Sequence, residues 1–432
     1  MQEIAKTYHE PIALVAGSNS GLEASKALRH YGLRTIVYVA RKEASDYIKK
    51  LTHIGEQDPN RSANSDLILV DDLKKIKKIG DWKTAVLQLD TYPEIGKYVD
   101  ELIELECIQI PSKAFSVLVG GDEKCSIIEN QFAIPIMGSR NLFKLARIGV
   151  VEKDYRWFAQ KAGVPCIQMY EFEASETGIR FTQFIDEPVA LMTEYSDANP
   201  KRVFIIGENS RDLEERVSKV VLAGNIDKAT LERSRVQQFL LGLDTNLNFF
   251  FSPIDAEEEW GDADDAYAKL YNLSLENARA CLANEFISLD ERRVDIFKKL
   301  KDLSIDFQAR IKSFIKSFHL PKVSLNFSEE FLFEDLLKYS ERLFLLIKEK
   351  EPPGIIGSWS LQTTMLQKSV SSYELKLTGI NFGLYDGFEE ELIYPLVNLA
   401  KLRRGIEMTL SDRTALELYR SKKKSVLPDI VT

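Results

Sequence analysis

Gln362 and Glu374 lie in two stretches, SWSLQTTM and SYELKLTG, that read as strands joined by the polar connection QKSVS. A short turn between them would set an amide oxygen and a carboxylate side by side. Hard oxygens of this kind hold Mg2+, which in turn grips nucleotide phosphates. A plain cross-strand polar contact satisfies the same spacing, so both readings stay open. A second candidate is GSNSG at 17–21. Its small residues let the backbone approach an anion, and the helix expected after it offers free N–H groups and a positive dipole end. The alternative is a tight turn with Ser18 or Ser20 as helix N-cap, and the two are compatible. The turn is neither GxGxxG nor a Walker A loop with its lysine. Ser112 and Lys113 follow a strand, at the place where a doubly wound sheet exposes its ligand crevice. Arg140 can fork two hydrogen bonds to a phosphate or carboxylate. Taken singly, Lys113 and Arg140 read more readily as solvated charges than as phosphate ligands.

The four histidines, His9, His30, His53 and His319, have no metal-ligand spacing. Cys107, Cys125, Cys166 and Cys281 lie far apart with no CxxC pair, which speaks against a zinc knuckle or disulfide framework and for free thiols in a reducing compartment. With 57 basic against 66 acidic residues the net charge is −9, which argues against a duplex nucleic-acid binder. The start, MQEIAKTYHEP, has no apolar signal core, and no run approaches the ~20 apolar residues that span a bilayer. The expectation is a cytoplasmic protein with neither nucleic-acid nor membrane partners.

These residues need elements to position them. IALVA at 12–16, the Gly/Ser turn, a helical pattern to Leu28 and TIVYV at 35–39 form a βαβ unit. Further strands are expected at 67–70, 85–89, 107–110 and 116–119, giving a small open α/β domain over the first ~130 residues. An amphipathic stretch from Arg140 to Lys161 follows. Beyond it come strands at 188–193 and 202–207 around the hairpin loop SDANPK, a helix over 212–231, a strand at 236–242 and an aromatic strand at 247–254. The acidic helical segment 255–283 reads as an insertion or solvated face, and another helix spans 330–350. At 432 residues the chain is long enough for several domains.

In order, VAGSNSGL, IPSKAF, FAIPIMGSR, VQQFLLGLDTNLNFFFSPI, SLDERR, EPPGIIGSWSLQ and YEL resemble the archaeal FAICAR synthetase family of the ATP-grasp superfamily. The resemblance implies an α/β and α+β fold class, a Rossmann-like pre-ATP-grasp domain followed by an ATP-grasp fold. The implied domains are 1–140, 141–240 and 241–432, the last with the acidic insertion near 255–283. It also implies an ATP-dependent ligase that joins formate to AICAR through formyl phosphate, giving FAICAR, ADP and phosphate. Its cofactors would be ATP and Mg2+, with Mn2+ as an alternative, its partners small molecules (an AICAR-like phosphoribosyl amine and formate), and its state a homo-oligomer.

Carried over by residue, Gln362 and Glu374 fall on the metal ligands. Ser18, Asn19 and Ser20 fall on the phosphoribosyl turn, with Asn19 at a family histidine. Ser112 and Lys113 fall on a second substrate loop, where the family has a histidine-glycine-serine run. Gln237 and Gln238 replace a pair of glutamates at the adenosine hinge, where an amide can still hydrogen-bond adenine or ribose. Two departures concern the phosphates. Met192 and Thr193 stand near the family's strand lysine, in LMTEYSDANPKR, which lacks the glycines of the family's phosphate loop. Lys376-Leu377-Thr378-Gly379 also loses an arginine. Phosphoryl transfer needs cations on the γ-phosphate, so Lys201 and Arg202 on the hairpin loop, with Arg140 and Lys113, are the candidate substitutes. The competing reading is a catalytically impaired ligand-binding paralogue with a regulatory or structural role.

Overall fold

The computed structural model describes residues 12–17, 19–30, 34–49, 67–70, 72–78, 84–90, 92–112, 115, 127–134, 136–139, 142–146, 151–193, 203–240, 242–252, 256, 262–291, 308–309, 330–369 and 372–383. The strand expected at 116–119 lies outside them.

The first sheet contains β1 (Ile12–Ala16), β2 (Thr35–Ala40), β3 (Leu67–Val70), β4 (Thr84–Leu89) and β5 (Cys107–Ile110), in the order β3-β4-β2-β1-β5, with every pairing parallel. α1 (Asn19–His30) follows β1, and α2 (Val99–Glu104) precedes β5. Strands β1 and β2 are apolar at nearly every position and fully buried, because a parallel sheet is covered on both faces. The order turns back at β1 and β5, which makes the carboxyl ends of these two strands the ligand crevice of the sheet.

A bridge of Ile136 beside Gln109 extends this sheet, and Ser139 then pins it to the rest of the chain. The Ser139 Oγ donates to the Ile356 carbonyl at 2.9 Å and accepts from the Ile356 N–H at 2.7 Å. Among the described residues of the stretch expected to be amphipathic from 140, the α-helix is α3 (Tyr155–Ala162), which Asp154 caps through the Arg156 N–H and Gly163 ends at φ 68°.

The second sheet has the order β10-β9-β11-β6 and is antiparallel throughout. Its strands are β6 (Met169–Tyr170), β9 (Val189–Met192), β10 (Phe204–Gly207) and β11 (Arg235–Gln238), while β7 (Glu173–Ser175) and β8 (Gly178–Arg180) form a separate hairpin. The single helix expected over 212–231 is two, α4 (Ser210–Leu222) and α5 (Lys228–Glu232). Gly224 at φ 72° stops the first, and Asp227 caps the second.

The third sheet is antiparallel, β13-β12-β14-β15, built from β12 (Leu243–Phe251), β13 (Asn284–Glu291), β14 (Gly357–Ser369) and β15 (Ser372–Asn381). Its two faces differ in kind. Leu247, Phe249, Trp359, Leu361, Met365, Leu375 and Leu377 pack with Tyr155, Phe158 and Phe344 in one core that also takes in the first sheet. Trp359 stacks on Phe249 at 4.7 Å. Helices α6 (Asp262–Tyr271), α7 (Leu275–Ala283) and α8 (Glu330–Lys350) accompany this sheet. The segment read from sequence as solvated is solvated on one side only, since Tyr267, Ala278 and Ala280 to Ala283 enter the core. Asp265 and Glu276 are exposed on its outer side, whereas Asp264 is buried and ion-paired with Arg279 at 2.8 Å.

Candidate functional site

The other face of the third sheet is polar. Asp244, Asn246 and Asn248 on β12 alternate with core residues, and the register sets them opposite Thr364, Gln362 and Ser360 of β14. Glu374, Lys376 and Gly379 of β15 complete the face. Most of it is out of water: Asn248 is 0% exposed, Ser360 1% and Thr364 3%. The Thr364 hydroxyl donates to Asp244 at 2.5 Å, whereas the buried Asn246 Oδ1 has no hydrogen-bond partner. A Cβ at Gly379 would meet the Gln362 Oε1 at 2.5 Å, so the missing side chain leaves room for that amide. Asn246 and Gln362 are direct cross-strand neighbours. Amide and carboxylate oxygens of this kind suit a hard divalent cation.

Gln362 and Glu374 share this face but are not adjacent. β14 runs on through Gln367 and Ser369, so the connection shrinks to residues 370–371 and the register shifts with it. Gln362 pairs with Gly379, and Glu374 with Leu366. Four residues along β14 separate the two levels by roughly 13 Å at strand rise. Asn246, which the sequence reading passed over, is the nearer oxygen to Gln362. Its signal was the alternation in LDTNLN, which begins the strand at Leu243 rather than Leu247.

The second and third sheets meet through side chains. The Lys376 Nζ donates to the Gln238 Oε1 at 3.3 Å, and the Gln238 Nε2 donates to the Glu187 Oε2 at 2.6 Å. The Tyr170 hydroxyl donates to the other oxygen of Glu187. Backbone bonds join them as well, with the Ile167 N–H on the Leu377 carbonyl at 3.1 Å and the Gln238 N–H on the Gln168 carbonyl at 2.9 Å. Gln237 is half-buried one residue earlier, opposite Ala190.

At the end of β1, Gly17 is a requirement of packing. A Cβ there would lie 2.2 Å from the Val39 Cγ1, and the Gly17 N–H donates to the Tyr38 carbonyl at 2.9 Å. α1 begins at Asn19, which places Ser20 inside the helix rather than at its N-cap, and Ser18, the other N-cap candidate, lies outside the described residues. Ser112 is 0% exposed and donates to the Ala16 carbonyl at 2.9 Å, bracing the ends of β5 and β1 against each other. Lys113, Arg140, Lys201 and Arg202 lie outside the described residues. Met192 ends β9, and the Oγ1 of Thr193, which follows it, accepts from the Val203 N–H at 2.8 Å. Among the described residues, no group of three or more His, Cys, Asp or Glu forms a metal cluster, and no helix is long and apolar enough to cross a membrane.

The molecule is thus a parallel sheet with a ligand crevice, tied to two antiparallel sheets that meet beside a polar strand face. A family model described as a domain of unknown function (DUF1297) matches residues 212–432, just over half of the chain, and one described as a protein of unknown function (DUF1246) matches residues 12–170. The 5-formaminoimidazole-4-carboxamide-1-(beta)-D-ribofuranosyl 5'-monophosphate synthetase of Methanopyrus kandleri is 22% identical over 417 residues, covering 96% of this chain and 93% of the relative. The synthetase of the same name from Korarchaeum cryptofilum is 24% identical over 349 residues, 80% of this chain and 76% of the relative. Among solved structures, the IMP biosynthesis protein PurP from Thermococcus kodakaraensis aligns at 18% identity and a TM-score of 0.44, over 96% of this chain and 98% of that one. The chain belongs to the DUF1297 family and is a divergent member of the group whose archaeal relatives carry the FAICAR synthetase name.

Proposed function

We propose that this chain is an ATP-dependent carboxylate-amine ligase of the ATP-grasp type that formylates AICAR with formate. A formate oxygen takes the γ-phosphoryl group of ATP to give formyl phosphate and ADP. The 5-amino group then attacks the formyl carbon and expels phosphate, leaving FAICAR. The observation that carries this reading is the buried polar face of the third sheet, set against the Gln238 end of the second sheet by Lys376. A nucleotide there has Gln237 and Gln238 for adenosine and the Gln362 and Asn246 oxygens for Mg2+ or Mn2+, while Glu374, roughly 13 Å along the same face, lies beyond the reach of an ion held there. Such an ion would neutralise charge on the transferring phosphoryl group. Ser18, Asn19, Ser20 and Lys113 are assigned by the family likeness to the phosphoribosyl group and Lys201, Arg202 and Arg140 to the phosphates, while Ser112, buried and bonded to the Ala16 carbonyl, braces the strand ends rather than touching substrate. Small phosphorylated substrates fit a cytoplasmic enzyme, and the family likeness supports a homo-oligomer.

The test is ADP release with AICAR, formate and Mg-ATP, each omitted in turn, and all three requirements are expected. A second reading, the ligand-binding paralogue, is favoured by the absence of any cation on β9, which reads Val-Ala-Leu-Met. ATP or AICAR binding in calorimetry without turnover selects it.

A further inference from the structure

Arg235 begins β11, and the residue after it fixes which way it points. Val236 is 0% exposed and packs with Val189, Leu191, Leu213 and Val217 on the α4 side of the second sheet. Alternation along the strand therefore turns Arg235 to the opposite face, with its register partner Met192, and with Gln237 and Ala190. The Tyr155 hydroxyl donates to the Thr378 carbonyl of β15 at 2.9 Å. Burial pushes the Tyr155 phenol up, and the positive charge of Arg235 draws it part of the way back.

Arg235 is half-buried, yet no hydrogen bond or ion pair engages its guanidinium among the described residues. Other arginines that are partly out of water behave differently: Arg156 holds Asp154, Arg216 holds Asp212 and Arg279 holds Asp264. A charge withdrawn from water with no counter-ion is an electrostatic cost that a bound anion removes, and the guanidinium fork matches phosphate oxygens.

We propose that Arg235 is the phosphate-binding cation of the second sheet, reaching ATP from beside Met192 on the neighbouring strand. The inference rests on the ATP-binding reading above and adds a residue to it. Arg235 and Gln237 lie two residues apart on the same face of β11, roughly 7 Å along the strand, so one end of that face takes the phosphates and the other the adenosine.

The experiment is calorimetry of the full chain with Mg-ATP and with adenosine, for the wild type, Arg235→Met, and Arg235→Met combined with Met192→Lys. Circular dichroism and the unliganded thermal midpoint check the fold of each. Arg235→Met is expected to weaken ATP at least tenfold while leaving adenosine unchanged. The second substitution is expected to recover most of the loss, because the register places residues 192 and 235 side by side. Unchanged ATP affinity in Arg235→Met overturns the proposal and leaves the ATP reading standing. Equal loss of ATP and adenosine makes Arg235 a structural residue and overturns the proposal too. A wild type that binds no ATP overturns both.

Discussion

At the residue scale, two glycines mark close approaches of different stiffness. A Cβ at Gly17 would strike the Cγ1 of Val39, a β-branched side chain locked in the buried strand β2. Gly17→Ala is expected to destabilise by about 1–3 kcal/mol, read from chemical denaturation. A Cβ at Gly379 would strike only the far end of Gln362, which can swing aside. Gly379→Ala should leave the thermal midpoint nearly unchanged and weaken Mg-ATP binding several-fold, whereas unchanged binding would take Gln362 out of the metal site. Burial pushes the Cys166 thiol up to about 12, so little thiolate exists at neutral pH. Native protein at pH 8 is expected to alkylate at Cys166 far more slowly than urea-unfolded protein, by mass spectrometry of the labelled peptide.

At the element scale, caps decide where the helices of the middle region begin. The Asn209 side chain accepts from the Asp212 N–H at 3.0 Å at the head of α4, and Asn209→Ala is expected to cost about 1 kcal/mol. Asp227 does the same for α5 through the Thr230 N–H at 2.8 Å, and its hydrogen bonds to Thr230 hold its carboxyl below the usual range. A carboxyl depressed in the folded state stabilises above its unfolded pKa, near 3.9, and loses that contribution as the pH falls through its folded value. Melts at pH 7 and pH 3 should therefore show a smaller acid loss for Asp227→Asn, which keeps the cap oxygen but does not titrate. Equal acid losses would contradict the assignment.

At the scale of the whole molecule, one apolar core joins the first and third sheets, and polar links among the described residues tie all three. Ser139 to Ile356 ties the first sheet to the third, and Lys376 to Gln238 to Glu187 ties the third to the second. A nucleotide bound between the second and third sheets stabilises both by mass action, about 2.7 kcal/mol at a concentration 100 times its Kd. Mg-ATP is expected to raise the thermal midpoint of the wild type. At the same concentration Lys376→Ala should show a smaller rise, because the link that presents Gln238 to the third sheet is gone. An equal rise in the two proteins would remove Lys376 from nucleotide binding.

The sequence by itself determined the elements whose signal is local. IALVA, TIVYV and CIQI are continuous apolar runs, and a strand buried on both faces needs nothing more to be read. The hairpin of β14 and β15 was likewise legible from alternation, whereas the small residues of 17–21 already belong to α1 from Asn19 on. Register was not. Whether Gln362 faces Glu374 or Gly379 depends on how far the ladder runs before it turns, and residues 367–369 are polar enough to read as loop yet pair as strand. Only the tertiary structure brought Asn246 beside Gln362, Lys376 to Gln238 and Arg235 beside Met192. These pairs join strands far apart in the chain or lie side by side only through sheet register, and local periodicity carries no information about which strands become neighbours.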